Sequence, residues 1–148
     1  MSTSEKLIGS WSLKDFYFQT GESKHYPFGN NIAGTIVYMD NGKMSAQLGN
    51  LNRTKFANED YRFGKPEEII ESFNQYISYC GDYTVHEFGK FIAHSVKQSL
   101  FPNWIGKKVK RYYEFTETNN KLYLKLTAMP LLFEGKETTP TLVWEKDK

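Results

Sequence analysis

Two alternating runs, Thr35-Ile36-Val37-Tyr38-Met39 and Lys43-Met44-Ser45-Ala46-Gln47-Leu48, stand on either side of Asp40-Asn41-Gly42. Asn-Gly between such runs is the strongest short-range hairpin signal, because both central residues of the tightest hairpin turn need positive φ. With Asn41-Gly42 as a two-residue turn, Met39 pairs with Met44, Val37 with Ala46 and Tyr38 with Ser45. One face of this hairpin is then wholly apolar, and the other carries Ile36, Tyr38, Ser45 and Gln47.

The same pattern recurs downstream. Asp82 to His86 and Lys90 to Leu100 read as a second hairpin about Gly89-Lys90, with Val85 opposite His94 and Tyr83 opposite Val96. Lys97 belongs in water, so Ile92, His94, Val96, Gln98 and Leu100 share the inward face. Val109 to Thr116 and Lys121 to Ala128 form a third hairpin, joined at Asn119-Asn120. In it Val109, Arg111, Tyr113 and Phe115 face Leu122, Leu124, Leu126 and Ala128, while Lys110, Tyr112, Glu114, Lys121 and Lys125 take the solvent side. Upstream, Leu7 to Thr20 is an aromatic-rich strand in which Trp11, Leu13, Phe16 and Phe18 share a face only through a bulge near Lys14-Asp15. Gly21 to Asn31 and Leu131 to Lys136 read as loops. Thr139 to Lys146 closes the chain with Leu142 and Trp144 on one side.

One segment breaks the alternation. Pro66 suits a first helical position, Glu67-Glu68 suit the positive helix end, and Ile69, Ile70, Phe73, Tyr76, Ile77 and Cys80 repeat at helical spacing up to Gly81. The reading is one inserted α-helix near residues 66–79. The sum is an all-β chain of about eight antiparallel strands with short connections, which closes as an up-and-down barrel with room for one small ligand. An open sandwich is the competing arrangement. No repeat, linker or low-complexity tract divides residues 1–148, so a single domain is expected.

Charge and composition narrow the function classes. Nineteen basic residues against 17 acidic ones leave a net charge of +2, too small a field to recruit nucleic acid or an anionic membrane. Lys107-Lys108-x-Lys110-Arg111 is a short basic run, but alternation turns Arg111 inward. Cys80 stands alone, which excludes an internal disulfide and any multi-cysteine metal site. His25, His86 and His94 lack metal-ligand spacing. No Gly-x-Ser-x-Gly, phosphate-binding or dinucleotide-binding loop occurs, so no cofactor and no metal are expected. The start, MSTSEKLIGSW, has no signal-peptide character and no run is long enough to span a bilayer, which points to the cytoplasm.

Motifs in a fixed order add a resemblance. Gly9-x-Trp11-x-Leu13, Tyr26-Pro27-x-Gly29, Gly34-x-Ile36-x-Tyr38 and Gly42-x-Met44-Ser45-Ala46-Gln47-Leu48 come first. Tyr76-x-x-Tyr79-x-Gly81-x-Tyr83, His94-x-Val96, Ser99-Leu100-Phe101-Pro102-Asn103-Trp104-x-Gly106 and Arg111 follow. With these the chain resembles the bacterial and fungal lipocalin-like domain family of the calycin type. The resemblance implies a calycin-like barrel with a helix inserted after its first three strands, and a glycine-x-tryptophan opening that packs at the barrel floor. It implies no particular chemistry, because the family shares no single activity. Secreted lipocalins usually carry a signal peptide and often a disulfide, and this chain shows neither.

Polar side chains on apolar faces are the candidate site. His94 is an imidazole in the cavity wall, able to exchange a proton or hold a polar group. Arg111 is always charged, and burying it requires a partner. Internal pairing with Asp15, Asp60, Asp82 or carbonyls of the Pro102 to Gly106 corner is expected, and a ligand anion is the alternative. Gln98 adds a further polar group. Tyr38, Tyr79, Tyr83, Tyr113 and Trp104 are candidates for an aromatic wall, with Met44 as an adaptable filler. The first reading is a protein that binds a small hydrophobic or amphipathic molecule through Tyr38, Met44, Tyr83, His94, Gln98, Trp104, Arg111 and Tyr113. The alternative is a cofactor-independent isomerase or cyclase in which His94 moves a proton and Arg111 stabilises negative charge. A third is a fully packed barrel that serves as an interaction protein.

Overall fold

A computed structural model describes residues 1–148. The elements are α1 (Thr3–Leu7), β1 (Gly9–Thr20), β2 (Ser23–His25), β3 (Ile32–Tyr38), β4 (Lys43–Asn50), α2 (Pro66–Asn74), β5 (Tyr76–His86), β6 (Phe91–Ser99), β7 (Lys108–Thr118), β8 (Lys121–Ala128), β9 (Leu131–Phe133) and β10 (Lys136–Lys146). Eight of the strands pair antiparallel in the order β1-β3-β4-β5-β6-β7-β8-β10, and β10 returns to β1 to close a barrel. Closure leaves no long unpaired edge. The short β2 and β9 extend β1 and β10 where their main neighbours have diverged. Both lie within segments whose sequence reads as loop.

Bulges decide which side chains point inward. In β1 the register against β10 slips between Leu13 and Asp15, so Trp11, Leu13 and Phe16 are all buried, as the aromatic spacing requires. The β3–β4 hairpin differs from expectation by one residue: Tyr38 pairs with Met44, Val37 with Ser45 and Ile36 with Ala46. The turn holds three residues, Asp40, Asn41 and Gly42. The Met39 amide donates to the Lys43 carbonyl at 2.8 Å, and Gly42 sits at φ 84°. A left-handed third residue is what this bulged turn needs, and Gly supplies it. The inward face is therefore Ile36, Tyr38, Met44, Ala46 and Leu48, with Met39 turned out.

The second hairpin is also displaced. Tyr83 pairs with His94 and Val85 with Ile92, a shift of two residues that keeps the expected inward faces. Further along, Gly81 pairs with Val96 and Cys80 with Gln98, which leaves Lys97 as the extra residue of a bulge. A Cβ on Gly81 would lie 1.9 Å from the Ser95 carbonyl oxygen, so only glycine permits this approach. The bulge turns Gln98 out to solvent. The third hairpin pairs as expected, with Arg111 opposite Ala128, Tyr113 opposite Leu126 and Phe115 opposite Leu124 about the left-handed Asn119 and Asn120.

Helix α2 is shorter than its spacing suggests. It ends at Asn74, and Tyr76, Ile77 and Cys80 belong to β5, where Gly49 to Lys43 of β4 pair with Tyr76 to Asp82. That ladder captures residues whose local pattern fits either state.

One end of the barrel is sealed. Helix α1, opened by a Ser2/Glu5 capping box, brings the buried Leu7 against the barrel at the start of β1. The Trp11 indole N–H donates to the Leu7 carbonyl at 2.9 Å. Lys146 lies 4.6 Å from the centroid of the Trp11 ring and donates to the carbonyls of Lys6, at 2.8 Å, and Ile8. Trp11, Tyr38, Met44, Ile92, Leu124 and Trp144 form the centre of the packed core.

Candidate ligand cavity

Beyond that core the barrel is hollow. A cavity of about 540 Å³ is walled by Phe16 and Phe18 of β1, Ile36, Ala46 and Leu48, Ile77 and Tyr79 of β5, Val109 and Arg111 of β7, Leu126 and Ala128 of β8, and Leu142 and Trp144 of β10. Trp104, Lys108, Lys110, Met129, Leu131 and Pro140 border it at the end opposite α1. A second hollow of about 310 Å³ shares Phe16, Phe18, Ile77, Trp104 and Leu131 with the first and continues beneath Pro27, Phe28 and Phe73. No carboxylate, carboxamide, imidazole or aliphatic hydroxyl lines the larger cavity. Its polar side chains all carry donors, two lysines, one arginine, two indoles and one phenol, and only the phenol can also accept.

Arg111 has no acidic partner. Its only protein hydrogen bond runs from Nη1 to the carbonyl of Lys110, at 3.0 Å, and none of the ion pairs includes it. Of the expected partners, Asp82 is engaged by Lys43 at 2.6 Å and Lys97 at 3.8 Å on the outer surface. The guanidinium thus faces an apolar cavity with its remaining donors unclaimed by a carboxylate.

His94 stands behind the cavity wall and does not border the cavity. It is wholly buried, with Tyr38 Oη 2.7 Å from Nε2 and Tyr79 Oη 2.8 Å from Nδ1. Burial, helped by the positive Arg111, pushes its pKa from 6.5 down to about 3. The ring is neutral at physiological pH. Burial likewise holds the Tyr38 phenol well above its ordinary range, so it keeps its proton.

The other side chains chosen from sequence fall into separate places. Trp104 borders the cavity, edge-on to Tyr79 with ring centroids 5.7 Å apart. Tyr79 also borders it, whereas Tyr38 reaches it only through His94. Met44 is buried in the core away from the hollow, and Tyr113 packs beside Phe115. Tyr83 stacks edge-on to Tyr38 and donates to the Met39 carbonyl at 2.7 Å. Gln98 is outside the barrel, its Oε1 accepting from the Ser99 amide. The structure thus brings Trp104, Tyr79 and Arg111 to one space and leaves Met44, Tyr83, Gln98 and Tyr113 out of it. Phe16, Phe18, Leu142 and Trp144 complete the wall, and their inward alternation was the available signal. Trp144 carries the one buried side-chain polar atom without a partner, its indole nitrogen. No group of three or more His, Cys, Asp or Glu side chains is placed to hold a metal ion.

A family model described as "Lipocalin-like domain" matches residues 8–147. The 4'-hydroxy-3'-methoxypropiophenone carrier protein ppsC of Aspergillus oryzae is 28% identical over 109 residues, which cover 70% of this chain and 96% of the relative. No solved structure matches the chain. With a closed eight-strand barrel, its inserted helix and a family match over almost its whole length, the chain belongs to the lipocalin-like domain family.

Proposed function

We propose that the protein is a carrier that holds a small, mainly aromatic molecule in the barrel cavity, with Arg111 meeting an anionic or electron-rich oxygen of that molecule. The unpaired guanidinium on an otherwise apolar wall is the observation that carries this reading. Arg111 is half-buried at the cavity border, and its charge, partly screened from water and without a protein counter-charge, favours a ligand that brings an anion or carbonyl. The volume, about 540 Å³, falls in the range of small-molecule sites. The relative's name supports the same class, since it describes the carrier of a phenolic aryl ketone.

The proton-transfer alternative has less support. A general base must reach the substrate and hold a proton near working pH, whereas His94 is walled off by Tyr79 and resists protonation down to about pH 3. No helix is long and apolar enough to cross a membrane. The cytoplasm is the proposed setting, in keeping with the single unpaired Cys80.

Titration with 4'-hydroxy-3'-methoxypropiophenone, followed by the fluorescence of Trp104 and Trp144, tests the reading. Saturable quenching at one molecule per chain is expected, and it should weaken in Arg111→Met. The absence of any saturable change up to millimolar ketone, with no small molecule retained in native mass spectra, would overturn it.

A further inference from the structure

We propose that Tyr79 is the second polar anchor of the cavity, and that the buried Tyr38–His94 pair fixes it there as a hydrogen-bond donor. The assignment rests on the carrier reading above and narrows the class of ligand.

The argument is a count of protons. A neutral imidazole carries one N–H and one bare nitrogen, so of the two tyrosines on His94 one donates to the ring and the other accepts from it. Tyr38 is wholly buried and its hydroxyl has no partner other than Nε2. If Tyr38 accepted from Nε2–H, its own O–H would be left without an acceptor in a dry interior, at a cost that native structures avoid. Tyr38 therefore donates to Nε2. The ring proton then sits on Nδ1 and is given to Tyr79 Oη, 2.8 Å away. Tyr79 has no other hydrogen bond, and it borders the cavity. Its O–H is left to the occupant of that cavity.

His94 supports this by remaining neutral, so that the chain of three groups holds one polarity throughout physiological pH. The direction has a chemical consequence. Tyr79 and Arg111 both offer protons, and no acceptor side chain faces them across the cavity. The preferred ligand therefore presents two acceptor oxygens, such as an aryl ketone bearing a phenolate or carboxylate. A molecule whose polar groups only donate, such as an aryl ammonium, is disfavoured.

Two measurements test the assignment. Long-range ¹⁵N–¹H correlation spectra of the ligand-free protein should show His94 with Nδ1 protonated and Nε2 bare. Tyr38→Phe, which alters no side chain bordering the cavity, should turn that single form into a mixture. The binding test uses propiophenone and propylbenzene, which differ by one carbonyl. Tyr79→Phe should reduce the preference for the ketone over propylbenzene roughly three- to tenfold, the value of one neutral hydrogen bond. An Nε2–H signal in the wild type, or a ketone preference that survives Tyr79→Phe, would overturn the assignment while leaving the carrier reading intact. Failure of the wild type to bind either probe would overturn both.

Discussion

Acidification should unfold this protein by way of His94. In the folded chain the ring resists protonation until about pH 3, whereas the exposed ring of the unfolded chain takes a proton near 6.5. Between those values the unfolded state binds more protons than the folded one, so stability falls as the pH falls through that window and His94 adds no further loss below it. At about 1.4 kcal/mol per pH unit, the step from pH 7 to pH 4 removes roughly 3 kcal/mol, and the full window about 5 kcal/mol. A domain with on the order of 5–15 kcal/mol in hand loses a large fraction of it. Guanidinium unfolding followed by tryptophan fluorescence, repeated from neutral to mildly acid pH, measures the slope. His94→Gln is the control, because an amide can donate and accept between Tyr38 and Tyr79 yet carries no titrating group. Glu68, Asp82 and Asp147 have carboxyls held below their usual range by hydrogen bonds, and they act equally in both proteins. The variant should start less stable and decline less steeply. Parallel curves for the two proteins between pH 6.5 and 4 would refute the argument that desolvation of His94 governs acid sensitivity.

Three further outcomes are expected. Gly81→Ala drives a methyl to 1.9 Å from the Ser95 carbonyl oxygen, so thermal unfolding monitored by circular dichroism should occur about 10 °C earlier, and an unchanged midpoint would mean that the bulge relaxes freely. Lys146→Met strips two carbonyls of α1 and its junction of their donor; a loss of about 2 kcal/mol is expected, with hydrogen exchange accelerated first at Lys6 and Ile8 and not at the far end of the barrel. Arg111→Met should weaken calorimetric binding of a phenolate- or carboxylate-bearing aryl ketone by roughly ten- to a hundredfold and leave propylbenzene unaffected, whereas equal weakening of both ligands would assign Arg111 to packing.

Alternation and turn chemistry carry the architecture, and the points where the structure departs from them share one origin. Trp11, Leu13, Phe16 and Phe18 revealed their bulge because their aromatic identity contradicts strict alternation. Val109 to Phe115 against Leu122 to Ala128 was legible because Asn119-Asn120 leaves one register. Asn41-Gly42 fits two turns of different length, and the three-residue form moved Tyr38 and Met44 together into the core. The bulge at Lys97 depends on Gly81, which lies on the neighbouring strand, so nothing within Phe91 to Leu100 announces that Gln98 turns outward. Tyr76 to Cys80 fits a helix and a strand alike, and pairing with β4 decides between them. At the site, an inward Arg111 was legible, but its freedom from carboxylates was not, since that depends on where Asp15, Asp60 and Asp82 lie in space. The inward direction of His94 is legible from its apolar neighbours, but its position behind the cavity wall is not, since its two tyrosine partners come from strands that alternation alone cannot align.

The plug formed by α1, Trp11 and Lys146 makes the barrel a cul-de-sac. An occupant enters and leaves at the end opposite α1, bordered by Trp104, Lys108, Met129 and Leu131, where the second hollow beneath Pro27, Phe28 and Phe73 joins the first. A newcomer therefore cannot push a resident molecule out through the back. On the carrier reading proposed above, exchange passes through an emptied barrel, so the rate of turnover of a cargo is capped by its own departure, however much replacement waits outside.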